Sequence, residues 1–245
     1  IANQGEPGPV FVEVPANLQL FAGDTGELQR YRPVSAVFPE PDVMEIDKAV
    51  DMLLRAKRPG IFLCCWAVDA SDLVLHIAEH LNAPVATTLQ GISAFPASHP
   101  LHTGLSFGPS AVPAAENAFK QCDVMLAVGT RFGEIGTGSF GVKVPSNLIH
   151  IDINPHALNA NYPAKVAIAG DARHVLTALW SALQATSAPP NLRGDVRDQI
   201  RRDKEAYLQE WYRHDSRERV NPALFFKGLR KQLRDDAFVV VDDGN

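Results

Sequence analysis

No apolar stretch in the 245 residues approaches the roughly 18 to 20 that a membrane span needs, so no contact with a membrane is expected. The opening residues, Ile1-Ala2-Asn3-Gln4-Gly5, carry neither an initiator methionine nor a signal-peptide pattern, and Ile1 is expected not to be a natural beginning. Cysteine is scarce. Three are present, two of them adjacent at Cys64 and Cys65 inside an apolar run, which makes neither a disulfide framework nor a zinc spacing. They read as buried thiols in a reducing compartment, hence a cytoplasmic location. Long runs of one charge are also missing: 23 basic and 28 acidic side chains give a net charge of -5, leaving no electrostatic footprint for nucleic acid or an anionic membrane. Small molecules or copies of the chain are the expected partners. No H-E-x-x-H occurs, so a zinc-hydrolase reading loses its usual support.

What is present is enough apolar sequence, 46%, for a sizeable core. Pro9 to Pro15 (PVFVEVP) is a short β-rich run, and Leu18 to Pro41 reads as a linker without sustained periodicity. From Val43 to Lys57, Val43, Ile46, Ala49, Val50, Leu53 and Leu54 recur three and four apart, as one face of a helix requires. Five continuous apolar runs follow: Gly60 to Cys65, Pro84 to Leu89, Val124 to Gly129, Leu148 to Ile153 and Val166 to Gly170. Their lack of alternation suits strands buried on both faces of a parallel sheet. Helical patterns stand at Ala70 to Leu81, Ser110 to Gln121 and Ala172 to Leu183. The fold class is therefore α/β, a doubly wound parallel sheet of about five to six strands flanked by helices. After Gln184 a Pro-containing break precedes a charged helix from Asp195 to Arg213, which reads as a solvated connector. Asn221-Pro222 starts another helix, running to about Leu233, and Ala237 to Val241 reads as a new strand.

In such a sheet, ligands bind at the carboxyl ends of the strands. Gly129-Thr130-Arg131 closes the third run: Gly129 allows close approach of a ligand, and Arg131 suits a phosphate or a flat ring, against the plainer reading of a turn glycine with a surface arginine. Asp152, at the end of the fourth run, suits a ribose hydroxyl or a helix cap. Asp171, before Ala172, suits a cap whose neighbouring amides also meet a ligand. The first run is followed by Cys64-Cys65-Trp66-Ala67-Val68-Asp69-Ala70 instead of a G-x-G-x-x-G turn, which argues against an ordinary NAD-type dehydrogenase. Cys64 or Cys65 as nucleophile is outweighed by a structural thiol, with no histidine near in sequence. His99 and His102 read as loop histidines without a third metal ligand in view, and Gly136 to Gly141 (GTGSFG) as a flexible or lining turn.

Taken in order, Gly8-Pro9-Val10 with Val14-Pro15, Pro84 to Leu89, Gly129-Thr130-Arg131-Phe132, His150 to Ile153, Gly170-Asp171 and the closing Asp242-Asp243-Gly244-Asn245 resemble the central domain of thiamine-diphosphate enzymes, nearest to the acetolactate synthase large-subunit group. The resemblance divides the chain into the end of an amino-terminal domain (1–17), a linker (18–41), the central nucleotide-binding-like domain (42–187), a charged helical linker (188–220) and the start of a carboxy-terminal domain (221–245). It implies a parent that condenses or decarboxylates 2-oxo acids in branched-chain amino acid biosynthesis, with thiamine diphosphate and Mg2+ held by the flanking domains and homo-oligomeric assembly. This chain itself is expected to scaffold and to be inactive, with no catalytic residue and no metal ligand. FAD or ADP is the cofactor implied for the central domain. The matching positions are Thr88, Leu89 and Gln90, then Leu105, Phe107 and Gly108, then Gly129, Thr130 and Arg131, with Asp152, Ile153, Asp171 and Ala172 on the adenosine side. Gly244 and Asn245 match the loop that meets thiamine diphosphate. The sequence departs from the family at Cys64 to Ala70, where a glycine-rich turn is expected, and at Gly133-Glu134-Ile135. The alternative is a non-catalytic nucleotide-binding or assembly domain of the same architecture.

Overall fold

A computed structural model describes residues 2, 5–23, 26, 40–106, 108–186 and 196–240. The Pro9 to Pro15 run forms no strand; it leads into a short exposed helix α1 (Ala16–Leu20). Helix α2 (Val43–Arg55) begins where the Asp42 side chain accepts the Met44 N–H, and its three-and-four pattern buries Ile46, Ala49, Val50 and Leu53.

Six strands follow: β1 (Pro59–Leu63), β2 (Val85–Thr87), β3 (His102–Leu105), β4 (Val124–Val128), β5 (Leu148–Asp152) and β6 (Val166–Ala169). Between them lie α3 (Ser71–Leu81) and α4 (Pro113–Phe119), and after them α5 (Ala172–Ala185), α6 (Val196–Arg213) and α7 (Pro222–Gln232). All pairings are parallel, in the order β3-β2-β1-β4-β5-β6. The chain thus winds one way from β1 and the other way from β4, and the switch point lies between those two strands.

Alternation along each strand sorts the core into two layers. Ile61 and Leu63 of β1, Leu126 and Val128 of β4, and Ile149 and Ile151 of β5 pack against α2, α3 and α5. Phe62, Ala86, Met125, Ala127 and Leu148 face the other way, where Ala115 of α4 and Phe132 cover them. Each such Leu or Ile contributes roughly 1.5–3 kcal/mol by burial, so the sheet is fixed from both faces. That second face is thinly covered. No α-helix connects β4 to β5 or β5 to β6; the short 3-10 turn Ile135–Thr137 and loops with Phe132, Val142 and Tyr162 lie there instead.

Several sequence expectations are corrected. Strand β3 falls where a loop with His99 and His102 is expected, because four residues flanked by turn residues carry too short a pattern to register. The Ser110 to Gln121 helix is trimmed to α4 because Pro113 sets its first turn. Residues Cys65–Ala70 form a 3-10 turn before α3. Residues 237–240 form no strand, with Phe238 and Val240 exposed; Val241 lies outside the described residues. The three thiols are not all buried. Cys64 is buried and Cys122 half-buried, but Cys65 is exposed because it opens the 3-10 turn at the sheet's lip. Among the described residues no helix is long and apolar enough to cross a membrane.

Helix α6 lies against α4 and β3, burying Ile200 and placing Lys204 Nζ 3.4 Å from Nδ1 of His102. Burial first, then the Lys204 charge, pushes the His102 imidazole down from 6.5 to about 4, so the neutral ring accepts from the ammonium. The His102 ring also stacks on Phe95, whose edge meets His99. Protonation would set two cations against each other under α6. Since the folded pKa lies below the unfolded one, this stability is complete above about pH 6.5 and is lost as the pH falls toward 4, to a ceiling of roughly 3 kcal/mol. Urea midpoints measured across that window should fall with pH. His102→Asn, which keeps an acceptor for Lys204 without a titrating ring, should flatten the slope; an unchanged slope would refute this account.

Candidate functional site

The last ladder bond of each central strand sets the next residue on a common lip. Thr88 N–H donates to Leu63 O, Cys64 N–H to Val128 O, Gly129 N–H to Ile151 O, and Gly170 N–H to Asp152 O. Thr88, Cys64, Gly129, Asp152 and Gly170 therefore stand side by side across the carboxyl edge, at the switch point and just beyond it.

The 3-10 turn Cys65–Ala70 folds over this edge. Gly129 makes that approach feasible: its φ is +62°, and a Cβ there would lie 2.7 Å from Trp66 Cβ and 2.9 Å from the Trp66 carbonyl carbon. Arg173 at the start of α5 pins the same turn, donating from Nε to Asp69 O (2.7 Å) while its guanidinium pairs with Asp72 of α3 (2.7 Å). On the other side Gly91 packs on Cys64, and Thr88 Oγ1 both donates to Cys64 Sγ (3.0 Å) and accepts from Gly91 N–H (3.1 Å).

Two chambers result, sharing Cys65, Trp66 and Gly129 as their common wall. The smaller, about 380 Å³, is closed by Asp152, Ile153, Gly170, Asp171, Ala172 and Arg173, with Gly5 and Pro7 at its mouth. The wider, about 610 Å³, is lined by Cys64, Thr88, Gln90, Thr130, Arg131 and Gly133 to Gly136. Both volumes lie in the range of small-molecule sites.

Asp152 is the most distinctive group in the smaller chamber. Its Oδ1 accepts the Asn154 N–H at 2.8 Å, while Oδ2 is buried without a partner among the described residues. Burial pushes its carboxyl above the ordinary range, opposed by the Asn154 N–H and the charges of His150 and Arg131. His150, two residues earlier on the same strand face, holds Thr130 in place through Nε2 to Thr130 O (2.7 Å), and burial lowers its pKa. Asp171 caps α5 by accepting the His174 N–H. Arg131 at the lip pairs with Glu6, which also accepts from Asn154 Nδ2. In Cys65, burial first and then the neighbouring Cys64 raise the thiol's pKa.

Of the positions singled out in the sequence, Thr88, Gln90, Gly129, Thr130 and Arg131 meet in the wider chamber, and Asp152, Ile153, Asp171 and Ala172 in the smaller one. Leu89 points into solvent, and Leu105 and Gly108 stand apart, Gly108 lining a separate cavity with Ser106 and Met125. Phe107, Gly244 and Asn245 lie outside the described residues. Cys64, Cys65 and Trp66 were legible only as a departure from a glycine-rich turn, although their place directly after β1 is the signal that they wall the site. The GTGSFG segment has the glycine spacing of a dinucleotide fingerprint but opens no helix; Gly136 merely lines the wider chamber.

The family profile described as the thiamine pyrophosphate enzyme central domain matches residues 46–179, more than half of the chain. The chain belongs to this family. The chain is 33% identical over 223 residues to a probable acetolactate synthase large subunit of Methanocaldococcus jannaschii, covering 86% of the chain and 35% of the relative. It is 31% identical over 245 residues to the acetolactate synthase large subunit of Corynebacterium glutamicum, covering 97% and 38%. With the isozyme 3 large subunit of Escherichia coli it shares 28% over 255 residues, covering 100% and 43%. The chain thus spans well under half the length of these relatives.

If Gly129 is what lets the central domain close its edge, Gly129→Ala should cost about 2 kcal/mol or more in urea unfolding, from left-handed strain and the clash with Trp66. Gly133→Ala, whose Cβ would meet nothing within 4 Å, should stay within about 0.5 kcal/mol of the parent. Equal losses at both positions would remove the special status of Gly129.

Proposed function

We propose that the switch-point groove binds an adenine nucleotide, FAD or ADP, and that the chain is the nucleotide-carrying scaffold of a thiamine-diphosphate-dependent enzyme acting on 2-oxo acids. The observation that carries the nucleotide reading is Asp152, which lines the smaller chamber and whose Oδ2 is buried without a partner among the described residues. A buried acceptor without a donor costs about 1–3 kcal/mol, which a ribose hydroxyl would recover. The adenosine is assigned to the Asp152–Asp171 chamber. Arg131 and the wider chamber then take the diphosphate and whatever ring follows it, with Thr88, Gln90 and Thr130 as the polar groups in reach. His150 acts on Thr130 by holding its carbonyl, and so keeps that wall in position.

Thiamine diphosphate, when bound in the parent, supplies the electron sink for bond making and breaking beside a carbonyl. None of the described residues is assigned to it or to Mg2+: no three His, Cys, Asp or Glu side chains gather where a metal would fit. Gly244 and Asn245 are assigned to its loop on resemblance alone. The similarity to acetolactate synthase large subunits supports carboligation of 2-oxo acids by the parent; the cytoplasmic location, the homo-oligomeric assembly and the place in branched-chain amino acid biosynthesis belong to the proposal. Since the chain spans less than half of these relatives, the chemistry is assigned to the parts of the parent it does not span, and the isolated chain is expected to form no acetolactate.

Calorimetric titration of the chain with FAD, ADP and NAD tests the nucleotide reading. One site for FAD or ADP is expected, weakened about tenfold or more by the isosteric Asp152→Asn, as loss of a charge-assisted hydrogen bond predicts. Because the folded pKa of Asp152 is raised, binding should begin to fail on acidification at a higher pH than an ordinary carboxylate would give. Silence with all three nucleotides would end the proposal.

A further inference from the structure

The thiols of Cys64 and Cys65 stand 3.9 Å apart at the lip of the groove. Cys65 is exposed, Cys64 opens into the wider chamber, and Thr88 Oγ1 holds the Cys64 sulfur by donating to it at 3.0 Å. This spacing is far from the roughly 2.05 Å of a disulfide. Closing it between adjacent residues would strain a bridge, since neighbouring Cα atoms are held at about 3.8 Å by the peptide, shorter than ordinary disulfides allow. The distance is within reach of two sulfurs on one soft centre: two bonds of about 2.3 Å span about 3.8 Å at a tetrahedral angle and about 3.4 Å at the narrower angle of a pyramidal centre, so a small side-chain rotation brings both sulfurs onto it. No third His, Cys, Asp or Glu joins the pair among the described residues, so a closed metal site is not formed. The centre captured must need two bonds from the protein and bring its remaining bonds with it.

We propose that Cys64 and Cys65 form a vicinal dithiol site for thiophilic electrophiles that accept two sulfurs, with trivalent organoarsenicals as the chemical class. With an arsenic(III) oxide the step balances without oxidant or reductant. Two S–As bonds form, the arsenic–oxygen bond breaks, and the two thiol protons leave with that oxygen as water. Arsenic remains trivalent. Since Cys65 belongs to the wall shared by both chambers, the adduct obstructs the groove. The third thiol supplies an internal control. Cys122 is tied to Val124 O at 3.0 Å, and burial, with Asp123 adding to it, pushes its pKa up to about 12.

The probe is phenylarsine oxide, added to the whole chain and read by intact mass and peptide mapping. The tryptic segment from Arg58 to Lys120 holds Cys64 and Cys65 and no other cysteine, since Arg58 precedes proline and no further Lys or Arg occurs before Lys120. One phenylarsenic group per chain is expected, located in that segment and with two hydrogens displaced. It should resist a monothiol at least about tenfold better than the adduct of Cys65→Ser, because the second bond is intramolecular, and should come off with a small dithiol. Cys122→Ser should behave as the parent. Absence of an adduct, an adduct on Cys122, or equal lability in the parent and Cys65→Ser would overturn the proposal. These readouts need no nucleotide. Slower modification in the presence of FAD or ADP would add that the two sites overlap, whereas normal modification with no nucleotide effect would leave the dithiol site standing and count against the nucleotide reading alone.

Discussion

The site depends on one steric contact, the Cβ-free face of Gly129 against the backbone of Trp66 and Ala67. In a sheet of order 3-2-1-4-5-6, the connections leaving β1 and β4 diverge and leave a crevice between their carboxyl ends. Here the crevice is crossed by the Cys65–Ala70 turn, which rests directly on Gly129 and divides the space into two chambers. Were the turn to lift, the two chambers would merge and Asp152 would be opened to water. Arg173 opposes such lifting from α5. Its pairing with Asp72 is half exposed and contributes little energy, so its role is chiefly to fix where the turn lies.

Polar burial follows from the same layering. His150 and Asp152 occupy the face of β5 opposite Ile149 and Ile151, where no α-helix connects the strands and loops provide the cover. An ordinary doubly wound sheet would place apolar residues there against a crossover helix. This one places an imidazole that braces Thr130 and a carboxylate with one oxygen unanswered. The loop geometry that weakens the hydrophobic layer is thus what admits hydrogen-bonding groups to the interior, and their arrangement gives the groove its polarity.

Much of this was readable from sequence because strands buried on both faces announce themselves as unbroken apolar runs: β2, β4, β5 and β6 lie inside such runs, and β1 overlaps one in all but its first residue. Two helix starts were legible through chemistry at single positions, Asp171 and Asn221, each of which accepts an N–H from the first turn it precedes; Asp42 does the same for α2, whose start was legible from apolar periodicity alone. What escaped was decided by distant neighbours. Strand β3 has four residues and earns its pairing from β2. His102 looked like a loop histidine because nothing local reveals that Lys204, far along the chain, will lie against it. Cys64 to Trp66 could be placed after a strand, but not across the end of β4, since that contact is written at Gly129.

Cys64-Cys65-Trp66, standing directly after β1, decides what kind of wall the groove has. A glycine turn lets a ligand lie against bare backbone, whose N–H groups act as donors. Side chains on the turn replace part of that surface with an indole and two thiols, so recognition at the centre shifts from hydrogen bonding toward stacking, size exclusion and sulfur chemistry. Donors and acceptors for a polar ligand are then left at the two ends, Arg131 with Thr130 on one side and Asp152 with Asp171 on the other. A ligand that satisfied only one end would leave the rest of the groove wet. On the proposed nucleotide reading, the two-ended arrangement suits a long molecule with hydroxyls at one end and negative charge beyond its middle, and the thiol pair sits in the wall between the two chambers.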